Sequence, residues 1–392
     1  KIRLLMRTIR KEATAPDLAL LSITLLLIFS GILILASVSA SFSLEKTGTT
    51  FYFLKHQMLF GMLPGLILAL IAYLMPIGYI RKLSVFALLG NIVLLGLVFL
   101  PVIGTTSGAH RWLFVGPFSF QPAELLKITF ILYLASWLAT HIEERRGRKT
   151  SKFLGANLFG KKKREWQRTL LPFGIILGTI SLFLIMQPDI STLGAIGLTS
   201  VFMYFLAGTP LWHTGLFILT GIGGLYSLIQ IAPYRLSRLA VFLNPDLDPL
   251  GQGYQIKQAL IGIGSGGLTG VGLGLSFQKF GILPEPISDS IFAVFSEELG
   301  FIGAIVLISL FVAFVWRSFT VAKRVENRFE QLAVVGIAAW ITMQAFINMG
   351  AMMGLLPLTG IPLPFISYGG SALLSEMIAV GVLLNISRYT RR

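Results

Sequence analysis

The chain is 392 residues long, 55% hydrophobic and only 12% charged. A soluble domain carries roughly 25% charged residues, so a water-exposed surface over the whole length is excluded. A net charge of +15 raises nucleic-acid binding, but topogenic charge on cytoplasmic loops explains it better, and no nucleic-acid partner is expected.

A membrane span needs ~20 apolar residues. Ten apolar runs predict ten helices, near 18–39, 57–76, 84–103, 122–141, 169–187, 190–207, 211–232, 290–316, 331–354 and 366–386. The fold class is therefore all-α and polytopic, a single membrane domain over 1–392. In the first run, Ala36-Ser37-Val38-Ser39-Ala40 looks like a signal-peptidase site. The apolar stretch before it, Leu18 to Leu35, is longer than a signal h-region, so an uncleaved span is expected. The link between the fifth and sixth runs is so short that the two should form a hairpin.

Lys and Arg set the orientation. With the N-terminus inside, inner segments carry 24 of them and outer segments 7, with Lys127 inside a span. Both ends then lie in the cytoplasm. The basic stretch 142–168 is a cytoplasmic loop, and its charge is a topology signal or a site for anionic membrane lipid. The longest outer segment, 233–289, reads as a large extracytoplasmic loop, and long ordered loops tend to carry function. No internal repeat is evident.

Cysteine is absent, which excludes disulfides, thiol catalysis and cysteine-ligated metals. The histidines His56, His110, His141 and His213 lack metal-site spacing and read as interfacial or packed residues. Gly262-Ile263-Gly264-Ser265-Gly266-Gly267 and Gly270-Val271-Gly272-Leu273-Gly274 imitate nucleotide loops. They have no strand–turn–helix context and no Walker lysine, so neither a nucleotide nor an organic cofactor is expected. These glycines instead permit close packing and irregular backbone beside a cavity. The stretch Gly350 to Gly370 has the same character.

Ionisable groups inside a bilayer are costly and are functional candidates by default. Glu124 and Lys127 share a helix face at i and i+3, either as a buried structural pair or as the lining of a polar cavity. Asp189 is either the N-cap of the sixth helix or a substrate-facing acid. Glu297, Glu298 and Glu376 each need a polar partner. Asp289 stands where the outer loop enters the eighth span. It is either a first-turn acid favoured by the helix dipole, or an acid that takes a proton from a hydroxyl or holds a divalent cation. In the same loop, Arg235 and Arg238 either clamp a phosphate or snorkel to the interface.

Several segments together resemble one family. They are Gly108-Ala109-His110-Arg111-Trp112; Gly116-Pro117-Phe118-Ser119-Phe120-Gln121-Pro122-Ala123-Glu124-Leu125-Leu126-Lys127; Gln187-Pro188-Asp189; Phe242-Leu243-Asn244-Pro245 with Asp248-Pro249-Leu250-Gly251-Gln252-Gly253-Tyr254-Gln255; Glu297-Glu298-Leu299-Gly300; and Pro362-Leu363-Pro364-Phe365-Ile366-Ser367-Tyr368-Gly369-Gly370-Ser371. In this order they resemble the SEDS proteins (shape, elongation, division and sporulation). Leu275-Ser276-Phe277-Gln278-Lys279-Phe280 followed by Leu283-Pro284-Glu285 resembles the FtsW branch more than the RodA branch. The chain departs from the family beside Asp289, where Ile287, Ser288 and Ser290 replace the usual histidine, threonine and phenylalanine.

The resemblance implies a peptidoglycan glycosyltransferase of the bacterial cytoplasmic membrane. It would polymerise lipid II at the outer face beside a class B penicillin-binding protein and other division proteins. It puts Asp289 at the family's catalytic aspartate, with a divalent cation, Mg²⁺ or Mn²⁺, as an optional partner. Arg111, Trp112, Glu124, Lys127, Asp189, Arg235, Arg238, Gln258 and Ser367 become its substrate-binding candidates. Lipid II flipping is the older alternative for such proteins, and an elongation role the alternative to division.

Overall fold

In lipid every backbone polar group must be satisfied within the protein, so apolar runs of spanning length become helices. A computed structural model describes residues 15–100, 110–115, 118–150, 170–231 and 233–390, with backbone alone at 115, 118, 142–150, 231 and 233–235. The predicted runs appear as α1 (Leu18–Thr47), α2 (Tyr52–Leu74), α3 (Ile77–Leu97), α4 (Pro122–Thr150), α5 (Leu171–Met186), α6 (Ile190–Leu206) and α7 (Leu211–Ile231). They continue, after two helices described below, as α10 (Ile291–Arg324), α11 (Arg328–Met352) and α12 (Gly370–Ser387). Among the described residues, eight of these helices are long and apolar enough to cross a membrane, and α5 and α6 are shorter apolar ones. A two-stranded antiparallel hairpin, β1 (Leu113–Val115) with β2 (Phe118–Phe120), precedes α4.

Caps define several ends. Asp17 starts α1 by accepting the Leu20 N–H at 2.9 Å, and Gly48 closes it in a left-handed conformation with φ 72°. Asp189 starts α6 and Asn327 starts α11 in the same way. Several edges differ from the sequence reading. The third helix begins at Ile77 rather than 84, because Pro76 permits a start there. The fourth runs on into the basic stretch as far as Thr150, while 151–168 lies outside the described residues.

The start of α1 meets the ends of α10 and α12. The Asp17 N–H donates to Ser387 Oγ at 3.0 Å, and the Asp17 carboxylate pairs with Arg317 at 2.7 Å. Arg81, Lys323, Arg324, Arg328 and Arg388 sit at helix ends on this same side. Asp189, Asp289 and the loop before α12 lie at the opposite ends of their helices. An even number of crossings and this charge asymmetry make the ends' side the inner one.

The large extracytoplasmic loop 233–289 is present, and it is folded into a cap. It holds α8 (Pro233–Leu243), a 3₁₀ turn and α9 (Gln252–Ser265) before its glycine-rich tail. That tail explains the glycines. α10 breaks at Gly300, whose φ of 66° and ψ of −168° lie outside helical space. The freed Glu297 and Glu298 carbonyls accept from the Val271 and Gly272 N–H groups at 3.0 and 3.1 Å. The freed Phe301 and Ile302 N–H groups donate to the Gly267 and Leu268 carbonyls at 2.9 and 3.1 Å. The tail thus replaces the missing helical ladder, as broken backbone at membrane depth requires. It also answers the two carboxylates. Glu297 accepts from the Phe277 and Gln278 N–H groups and from Ser276, while Glu298 accepts from Ser37 and pairs with Lys279 at 3.3 Å.

A Cβ on Gly300 would lie 2.3 Å from the Gly270 nitrogen, in a backbone region essentially closed to other residues. Gly300→Ala is expected to destabilise the protein by roughly 3 kcal/mol or more. Gly264→Ala, where a Cβ meets nothing within 4 Å, should leave the melting temperature in detergent unchanged or slightly raised. Equal melting of the two variants would contradict this account of the break.

Candidate active site

A cavity of about 810 Å³ opens at the outer ends of α4, α6 and α11, beneath α8 and the segment before α12. Of the sequence candidates, Arg111, Trp112, Glu124, Asp189, Arg238 and Asp289 line it. Residues more than 170 positions apart in sequence are therefore brought together. The apolar side chains Leu198, Leu225 and Ile229, from α6 and α7, continue the same lining towards the exterior.

The floor is built on α4 and α11. Glu124 is 5% and Lys127 2% exposed, and the two pair at 2.7 Å. The Lys127 ammonium also donates to Gln344 Oε1 at 2.9 Å and lies 5.4 Å from the centroid of the Trp340 ring. Trp340 Nε1 donates to the same Gln344 oxygen. Both readings of the pair thus hold in part: Glu124 faces the cavity, and Lys127 sits behind it as its counter-ion.

Asp189 likewise does two things. Its carboxylate accepts from the Thr192 N–H at 3.2 Å and hydroxyl at 2.9 Å, capping α6, and from Gln121 Nε2 at 3.3 Å, while facing the cavity. Arg111 is spent largely on structure. Its guanidinium donates to the Gln187 carbonyl at 3.0 Å and to the Pro188 carbonyl, bracing the α5–α6 turn. Arg238 on α8 has a buried Nε with no partner among the described residues, so of these two arginines it is the freer anion ligand. Arg235 is one helical turn away on α8, and its side chain lies outside the described residues.

Asp289 sits one residue before the Ser290 that starts α10. Burial pushes its carboxyl above the usual carboxylate range, and the Glu285 charge adds to this. Its own N–H, the Ser288 hydroxyl at 3.1 Å and the Arg238 charge oppose the shift without cancelling it. A carboxylate raised in this way is a stronger base, and it faces a polar chamber.

Two candidates fall elsewhere. Gln258 is on α9, where its side chain accepts from Gln278 Nε2 at 3.3 Å, inside the outer cap. Ser367 does not line the cavity. Its hydroxyl donates to the Ser288 carbonyl at 2.5 Å and accepts from the Leu363 N–H at 2.8 Å. Both of these bonds are to backbone. Glu376 is also structural, accepting the Phe365 N–H at 2.8 Å. Sequence reasoning passed over Gln121, Gln344, Asn348 and Tyr368. The available signal was the polar stripe Trp340, Gln344, Asn348 at i, i+4 and i+8 on one face of α11. Among the described residues no group of three or more His, Asp or Glu side chains forms a metal cage.

The architecture defines a polytopic helical membrane protein with a polar reaction chamber at one face and an apolar side entrance. The sequence places it further: the chain belongs to the cell cycle protein family that groups FtsW, RodA and SpoVE, whose profile matches residues 18–392. It is 40% identical over 383 residues to stage V sporulation protein E of Bacillus subtilis (strain 168), covering 97% of this chain and 99% of that one. It is 40% identical over 372 residues to the probable peptidoglycan glycosyltransferase FtsW of Coxiella burnetii, covering 94% and 95%. A solved structure described as "Structural coordination of polymerization and crosslinking by a peptidoglycan synthase complex" matches with a TM-score of 0.74 at 26% identity, over 96% of this chain and 99% of that one. The rod shape determining protein RodA of Thermus thermophilus shares the fold, with a TM-score of 0.65 at 23% identity over 96% and 98% of the two chains.

Removing one partner of a buried ion pair leaves an uncompensated charge, at a cost of roughly 3–5 kcal/mol. Lys127→Met should therefore lower the melting temperature in detergent markedly. The double change Glu124→Gln with Lys127→Met should recover most of the loss. A double variant no more stable than Lys127→Met alone would show that an uncompensated Glu124 charge is not what the single change costs.

Proposed function

We propose that the protein is a peptidoglycan glycosyltransferase that polymerises lipid II into β-1,4 glycan strands at the outer face of the bacterial cytoplasmic membrane, in the division manner of FtsW. The observation that carries the reading is a raised, half-buried Asp289 carboxylate in one cavity wall, with Arg238 in the same chamber and an apolar exit between α6 and α7. The relatives named as FtsW glycosyltransferases give the reading its chemistry.

The donor sugar is linked α to a polyprenyl pyrophosphate and the product is β, so one in-line displacement inverts the centre. The acceptor 4-hydroxyl oxygen forms the new bond to the donor C1 as the C1–O bond to pyrophosphate breaks. The hydroxyl proton passes to Asp289. The electron pair leaves on the pyrophosphate, where Arg238, with Arg235 one turn away, neutralises the growing charge. The chamber between Glu124, Asp189 and Trp112 orients the sugars. Leu198, Leu225 and Ile229 give the polyprenyl tail an apolar path.

Mg²⁺ is usually held by one or two carboxylates together with substrate phosphates. Asp289, with Glu285 beside it, would be the group to hold such an ion, which would add charge neutralisation at the pyrophosphate. None of the steps above depends on it. A class B penicillin-binding protein is the expected partner. The synthase complex among the structural neighbours supports this.

The deciding experiment is lipid II polymerisation by purified protein in detergent, with Mg²⁺ and Mn²⁺ varied and the transpeptidase present or absent. General-base help is worth ~10²–10⁴-fold, so Asp289→Asn should lose at least 100-fold in rate with an unchanged melting curve. Near-normal strands from this variant would remove Asp289 from the chemistry. Transfer of lipid II across liposomes without polymer would favour the flippase instead.

The acid limb of the rate profile should lie above the ordinary carboxylate range, because the base must be ionised and burial raises its pKa. Arg238→Ala removes a charge that lowers that pKa, so it should move the limb to still higher pH. A limb moving to lower pH in Arg238→Ala would contradict the assignment.

A further inference from the structure

Three consecutive carbonyls at the end of the outer cap are each held by the α11–α12 hairpin. The Ile287 carbonyl accepts the Tyr368 N–H at 2.8 Å. The Ser288 carbonyl accepts the Ser367 hydroxyl at 2.5 Å. The Asp289 carbonyl accepts Asn348 Nδ2 at 2.8 Å. Asn348 is 1% exposed and its amide also donates to the Ile361 carbonyl at 2.8 Å. One side chain therefore ties the acid's backbone to the facing wall of the cavity. That wall comes very close: a Cβ on Gly360 would stand 3.7 Å from Asp289 Oδ2. One turn back on the same face of α11, Gln344 donates to the Pro362 carbonyl at 2.9 Å and accepts from Lys127. The wall is thus anchored at two points on a rigid helix, and through Gln344 to the buried ion pair on the floor.

The geometry points to Asn348 as the positioning residue of the site: the two N–H groups of its amide hold the Asp289 backbone, and with it the carboxylate, against the Thr359–Pro362 wall, where the acceptor hydroxyl must be met. Two features separate this from ordinary packing. A buried amide that served only α11 would bond within α11, whereas this one makes both bonds to segments outside it. The segment it holds has no regular secondary structure of its own between Leu283 and Ser290, so its place is set by these three bonds and by its neighbours. The inference deepens the glycosyltransferase reading and rests on it for the reaction, while the clamp itself can be tested without activity.

The experiment uses the whole chain in detergent, with Asn348→Leu as the near-isosteric change and Ser367→Ala as a second one that removes the neighbouring bond to Ser288 together with the one from the Leu363 N–H. Two measurements are made on each: amide hydrogen exchange of the 284–290 segment by mass spectrometry, and initial polymerisation rates against lipid II concentration. Exchange in 284–290 should quicken at least fivefold in Asn348→Leu, and less in Ser367→Ala. Misplacing a catalytic group by ~1 Å is worth about 100-fold. kcat should accordingly fall about 10- to 100-fold while KM stays within about threefold. Unchanged exchange overturns the clamp. Faster exchange with kcat within threefold of wild type overturns the positioning role, as does a raised KM with kcat held. If Asn348→Leu does not fold, Asn348→Ala, which removes the same amide, carries the same two readouts. If the wild type itself makes no glycan, the functional reading fails, and hydrogen exchange still decides whether the clamp exists.

Discussion

Inside a bilayer an unpaired backbone group costs several kcal/mol, and this protein breaks its helical ladder in several places. Each break is repaired by a specific side chain or segment. The break at Gly300 is filled by residues 267–272. The end of α2 is closed by Asn385, whose amide donates to the Ala72 and Met75 carbonyls at 2.8 and 2.6 Å. Gln57, in the π-helical turn of α2, accepts the Gly369 N–H at 3.0 Å. Gln187 closes the end of α3 through the Leu95 carbonyl. The irregular wall between α11 and α12 hangs on Gln344 and Asn348. Buried carboxamides thus make irregular backbone tolerable at membrane depth, and irregular backbone is what leaves room for a polar chamber.

The charges then act within a frame that neutral amides have set. Lys127 is tolerable because Glu124 and Gln344 share it. Glu298 is tolerable because Ser37 and Lys279 meet it. Asp289 is different, since its own carboxylate is left facing the cavity while its backbone is tied down. A group whose position is fixed and whose charge is not neutralised by a direct ion pair suits proton transfer.

Much of this was legible in the sequence. Ten apolar runs and the lysine and arginine count gave the helices and their direction. The intramembrane acids and the resemblance led to Glu124, Asp189 and Asp289, and all three line the cavity. Three things were not legible. The places of Gln258 and Ser367 were hidden, since hydrophobic patterning does not show that their side chains bond to protein groups outside the cavity lining. The loop 233–289 was legible as a large ordered segment, but the two helices inside it were not, because both are short and neither resembles a span. Asn348 and Gln344 escaped because a neutral amide leaves little mark in a hydropathy pattern; only its i+4 spacing does.

The bond between Asp17 and Arg317 joins residues 300 positions apart, and that between Asp17 and Ser387 spans 370. Gly65 and Gly381 likewise press α2 against α12. α1 and α2 therefore find lasting neighbours in α10 and α12, which are made long after them. Until α10 and α12 are made, α1 and α2 wait in the bilayer with interior surfaces turned to lipid or to a helper protein. Assembly of this molecule is a closing of a ring, and loss of α12 would strand α1 and α2 as surely as α10.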